Sequence, residues 1–116
     1  MMSVGECIKT LRVSAGLKQH ELAERADISP SMLSLVESGK RDPTIPMLRA
    51  VARALKVPAN VLFAAALDSG SEPSSPEAAQ ARALTERLFR VAQRMVVADR
   101  FRQDVPEAVD DDKDSQ

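Results

Sequence analysis

Residues 8–63 hold the side chains whose types and spacing suggest a chemistry, and that chemistry is recognition rather than catalysis. Three pieces follow one another: Ile8 to Arg12, Gly16 to Ala23, and Ile28 to Arg41. The second and third read as two short helices joined by a tight turn. That geometry pushes one helix into the DNA major groove while the other braces it across the backbone. Nothing competes as an active site: there are no paired carboxylates in a pocket context, no nucleophile beside a base and no Gly-rich phosphate loop. With one His and one Cys, the chain builds neither an intramolecular disulfide nor a zinc site of the usual ligand count, and no cofactor is expected. His20 stands on an exposed helix face, where the readings are a pH switch, a phosphate contact or no role. Cys7 flanks the core face of the first helix and reads as a structural thiol rather than a redox sensor.

The elements that must position this pair are helical. Val4, Ile8, Leu11 and Ala15 recur at helical spacing, predicting a first helix from Val4 to about Ser14 that Gly16 ends. The second runs from about Lys18 to Ala26 with Leu22 and Ala23 inward. Lys18 stands where a Ser or Thr cap belongs, and its cation opposes the positive end of the helix dipole. Either an anion such as a DNA phosphate lies nearby, or Lys18 is simply exposed. The third helix is strongly signalled, with Ser29 as cap, Pro30 in the first helical position, Leu33 and Val36 inward, and Gly39 as stop. A fourth follows from Ile45 to Leu55 behind Thr44, and a fifth from Ala59 to Ala66.

Residues 68–76 are Ser, Gly and Pro-rich linker chemistry. Pro76 to about Gln103 then reads as one long amphipathic helix (77–103 without its leading proline) capped by Ser75. Leu84, Leu88, Val91 and Met95 keep heptad spacing and form a candidate dimerisation seam. Phe89, Ala92 and Val96 add a second apolar stripe beside it, wider than a two-stranded zipper needs, so this face also packs on another surface. The competing arrangement folds the seam itself back onto helices 1 to 5. Residues 104–116 read as an acidic disordered tail.

Composition agrees with an all-α chain. The 116 residues are 44% hydrophobic but only 3% aromatic, with no Trp or Tyr, so the core is aliphatic. The net charge of -1 hides an uneven distribution. Residues 1–67 carry nine Lys and Arg against six Asp and Glu, whereas 104–116 carry six acids against Lys113. An acidic tail masks a basic head. No apolar run is long enough to span a bilayer, and the N-terminus lacks a signal-peptide pattern, so a cytoplasmic location without membrane contact is expected.

With these residues in order, the chain resembles the phage-repressor and Cro-like (xenobiotic-response-element type) helix-turn-helix family over roughly residues 4–67. The resemblance rests on Leu11-Arg12, Gly16-Leu17, Gln19 with Glu21-Leu22-Ala23, Ser29 through Ser34, Glu37 to Arg41, Asp42-Pro43-Thr44, and Leu48 to Leu55. It implies a five-helix lambda-repressor-like DNA-binding domain over 1–67. It also implies that Gln19 hydrogen-bonds a DNA phosphate and that Lys18, Lys40 and Arg41 contact the backbone. The helix opened by Ser29 would then turn Pro30, Ser31, Ser34 and Leu35 toward the groove. Arg12 and Glu37 match a buried ion pair holding the first helix against the third. The groove positions depart from the family, which often places Gln, Arg, Asn or Lys there. None of the four makes a bidentate contact to guanine or adenine, so shape, water or few contacts must carry specificity.

The expected function is a sequence-specific transcriptional regulator, a repressor, acting as a homodimer on palindromic double-stranded DNA. The same chain fits the DNA-binding antitoxin of a toxin–antitoxin pair, with a protein partner on the C-terminal helix or tail. It also fits a protein-interaction module that no longer reads DNA.

Overall fold

A computed structural model describes residues 3–67 and 73–104, with side chains through Arg102. Six helices occupy the described residues: α1 Val4–Ser14, α2 Gln19–Ala26, α3 Pro30–Glu37, α4 Ile45–Leu55, α5 Ala59–Leu67 and α6 Pro76–Asp104. The expected linker lies mostly outside the described residues, with only Pro73 to Ser75 seen before α6. The acidic tail beyond Asp104 also lies outside them. Asp104 itself belongs to α6.

Local chemistry sets most helix boundaries. Ser3 and Glu6 form a capping box: Ser3 Oγ accepts from the Glu6 N–H at 3.2 Å and Glu6 Oε1 accepts from the Ser3 N–H at 3.0 Å. Ser29 Oγ accepts from the Met32 N–H at 3.0 Å, Thr44 Oγ1 from Met47 at 3.2 Å, and Ser75 Oγ from Ala78 at 3.1 Å. At α2 the Lys18 side chain makes no cap; instead Glu21 reaches back and accepts from the Lys18 N–H at 2.7 Å. These bonds hold the Glu6 and Glu21 carboxyls below the ordinary carboxylate range, through Ser3 and through the Lys18 backbone respectively. The carboxylate half of each cap is therefore fully present above that range and is lost as the pH falls through the lowered values.

Gly16 (φ 76°) and Gly39 (φ 79°) take the left-handed conformation that ends α1 and α3. The same conformation ends α2 at Asp27 (φ 57°) and α4 at Lys56 (φ 61°), where no glycine marks it.

α1 packs on α3, α5 and α6, while α2 lies between α3 and α4, and α5 bridges α4 to α6. Ile8, Leu11, Leu22, Leu33, Val36, Val51 and Leu62 fill the middle with almost no exposure, and Cys7 is fully buried among them. α6 joins this same core through Phe89, Ala92 and Val96. The seam at Leu84, Leu88, Val91 and Met95 stays outside, 36–54% exposed. The long helix therefore folds back by its second stripe and leaves the heptad seam uncovered. Of the two stripes, the inward one contains Ala92, small enough to let the helices approach. No helix among the described residues is long and apolar enough to cross a membrane, and no group of His, Cys, Asp or Glu among them could hold a metal.

A candidate DNA interface

The surface of α3 is built by its own turns. Leu33 and Val36 are buried, which forces Ser31, Ser34 and Leu35 outward on the opposite face; all three are exposed, as are Ser29 and Pro30 at the helix start. Leu35 is 38% exposed, a large apolar side chain on the same face as Ser31 and Ser34. The two serines offer donors and acceptors that pair with any base, and Leu35 suits a thymine methyl.

The end of α3 sets the cations beside that face. The carbonyl of Leu35 accepts from the Lys40 N–H at 2.9 Å and the Arg41 N–H at 3.2 Å, while Gly39 N–H donates to the Val36 carbonyl at 3.1 Å. This double closure around a left-handed glycine is a Schellman turn. Ser38 Oγ adds a third bond to the Leu35 carbonyl at 3.1 Å. Lys40 and Arg41 leave the turn with exposed side chains, and Lys18 is exposed at the start of α2.

Beneath this surface lies a buried polar cluster. Arg12 Nε donates to Glu37 Oε2 at 2.8 Å and Arg12 Nη2 to Glu37 Oε1 at 3.1 Å, with both residues under 10% exposed. The fork is bidentate, the strongest arrangement two such groups can make. Arg12 Nη1 also donates to the Leu17 carbonyl at 2.9 Å, and Gln19 Nε2 donates to Glu37 Oε1 at 3.1 Å. One carboxylate thus ties α1, the start of α2 and the end of α3 together. The Gln19 and Leu17 contacts were not foreseen. The resemblance implies only a phosphate contact for Gln19, and nothing in a linear pattern reveals that its amide faces a glutamate 18 residues away.

A second unforeseen feature is Gly5, inside α1. A Cβ there would collide with the Val36 carbonyl oxygen and lie 3.1 Å from that of Glu37. The bare backbone of α1 seats the last turn of α3, so Gly5 positions the element that carries Lys40 and Arg41. A glycine in the first turn of a helix supplies no side chain to pack, and so is compatible with close approach of another backbone, which was the available clue.

Comparison with known proteins agrees with this geometry. Residues 8–62 match the helix-turn-helix family model. An uncharacterized HTH-type transcriptional regulator of Mycobacterium tuberculosis is 33% identical over 95 residues, covering 82% of this chain and 66% of the relative. The transcriptional regulator ClgR of the same species is 30% identical over 74 residues, 64% of this chain and 63% of the relative. The immunity repressor protein of Bacillus phage phi105 is 41% identical over 56 residues, 48% of this chain and 39% of the relative. The chain therefore spans about two thirds or less of the length of these curated relatives.

Proposed function

Because the chain belongs to the Cro/C1-type helix-turn-helix family, we propose that it is a sequence-specific transcriptional repressor that binds operator DNA as a homodimer in the cytoplasm. The observation that carries this reading is the exposed face of α3 with Lys18, Lys40 and Arg41 exposed on the segments that flank it. The relatives named as transcriptional regulators and as an immunity repressor support it. In this reading Ser31, Ser34 and Leu35 enter the major groove, the cations and the α2 start grip phosphates, and sequence preference leans on DNA shape.

The test is the salt dependence of duplex binding. Each neutralised phosphate contributes roughly 0.9 to the slope of log K against log salt. Lys40→Ala with Arg41→Ala should flatten that slope by about one to two units and weaken binding to all sequences alike. A parent chain that fails to bind duplex at low salt would instead favour the protein-interaction reading, for which the exposed Leu35 is the best support.

Homodimerisation is assigned to the exposed seam of α6. A Leu or Met side chain gains about 1.5–3 kcal/mol on full burial from water, and these four, 36–54% exposed, retain roughly half of that for an interface, doubled by the two-fold. Two-fold heads would then meet half-sites about 34 Å apart, one helical turn. Deleting α6 is not a clean test, because Phe89, Ala92 and Val96 belong to the core. Leu88→Glu with Met95→Glu is cleaner: sedimentation should show a dimer for the parent and a monomer for the variant, with unchanged helicity. A parent that is monomeric at high concentration overturns the seam assignment.

A further inference from the structure

α6 reaches past the core to the corner where α1 gives way to α2. Gln93 Nε2 meets Ser14 Oγ at 3.5 Å near the end of α1, and Asp99 Oδ1 lies 3.6 Å from Lys56 Nζ at the end of α4. One residue later stands Arg100. A Cβ on Gly16 would lie 2.8 Å from Arg100 Nε, 3.0 Å from its Cζ and 3.2 Å from its Cδ. The guanidinium is therefore laid against the bare backbone of the turn that leads through Leu17 and Lys18 into Gln19. Three Cα steps separate Gly16 from Gln19, a span of at most about 11 Å. Arg100 is exposed, and among the described residues no carboxylate lies within salt-bridge distance of it.

We infer that Arg100 is a DNA-contacting residue, a phosphate ligand supplied by α6 at the edge of the helix-turn-helix surface. The inference rests on the DNA-binding reading above and extends it to an element outside the matched family region. In that reading a phosphate held at Lys18 and Gln19 lies within about 11 Å of the Gly16 turn, on the order of one Debye length (~8 Å at physiological salt), so the same strand passes within reach of a long arginine side chain. An arginine with five donors in a planar fork suits a phosphodiester there. The bland role for the same cation is to complement the negative C-terminal end of α1. The two roles differ in what they leave behind when the charge is removed.

The experiment measures binding of the full chain to a mixed-sequence duplex across a salt series. It compares the parent, Arg100→Gln, Arg100→Lys, and the Lys40→Ala, Arg41→Ala double variant, with a melting curve for each. Arg100→Gln is expected to flatten the slope by about 0.9, the share of one phosphate. Arg100→Lys should restore it, and the melting temperature should hardly move. An Arg100→Gln slope equal to the parent's, beside a flattened slope for the double variant, overturns this inference and leaves the DNA reading standing. So does a lower melting temperature with an unchanged slope, which marks a helix-end role only. If the parent does not bind, the DNA reading falls and takes this inference with it; a double variant that also leaves the slope unchanged removes Lys40 and Arg41 from the interface together with Arg100.

Discussion

Glu37→Gln is expected to destabilise the fold by about 3–5 kcal/mol, the cost of leaving one partner of a buried ion pair uncompensated. Arg12 is 9% exposed, so removing the carboxylate leaves its guanidinium buried without a counter-charge. The loss is larger than that of one bond, because Glu37 accepts from Arg12 twice and from Gln19 once. In a domain of this size it should lower the melting temperature by more than about 10 °C. Arg12→Met should cost a similar amount, since it buries a bare carboxylate. The double variant Arg12→Met, Glu37→Leu should be much milder than either, because well-packed apolar replacements of a buried pair are often neutral. Urea unfolding of the three variants checks this pattern. Single variants that each lose under about 1 kcal/mol would mean that the cluster is solvated in solution.

Gly5→Ala carries the second large effect, and its sign opposes helix propensity. Alanine is favoured over glycine in a helix by up to about 1 kcal/mol, less in the first turn where Gly5 stands, so propensity alone predicts a small stabilisation. The added Cβ instead meets the backbone carbonyls of Val36 and Glu37, which cannot swing aside as a side-chain tip can. Overpacking of this kind costs about 1–3 kcal/mol, and a net loss is expected. The strain should also show at a distance. Pushing α3 away from α1 moves the Schellman turn that holds Lys40 and Arg41, so duplex binding should weaken even where the variant is folded. A measured gain in stability would mean that α1 and α3 are not seated at this point.

Read by itself, the chain determined where most helices begin. Ser29 with Pro30, Thr44, and Ser75 with Pro76 are caps whose hydrogen bonds run three residues forward, so the information is local. The glycine stops at Gly16 and Gly39 were legible for the same reason. The ends at Ala26 and Leu55 were legible from where the apolar pattern stops, but the left-handed conformation of Asp27 and Lys56 that closes them was not, because no glycine announces it. The start of α2 looked weak at Lys18, yet Glu21 satisfies its N–H from inside the helix.

What only the tertiary structure decided lies in contacts between distant segments. Gly5 against Val36, Gln19 against Glu37 and Arg100 against Gly16 each join residues whose separation no periodic pattern records. α6 makes the same point with two stripes. Heptad spacing marked Leu84, Leu88, Val91 and Met95 as a seam, and Phe89, Ala92 and Val96 as a second apolar face. Periodicity reports that a face is apolar, not which surface will meet it. The contacts made the choice: α1 and α5 receive the face that carries Phe89, Ala92 and Val96, and Leu84, Leu88, Val91 and Met95 are left outside.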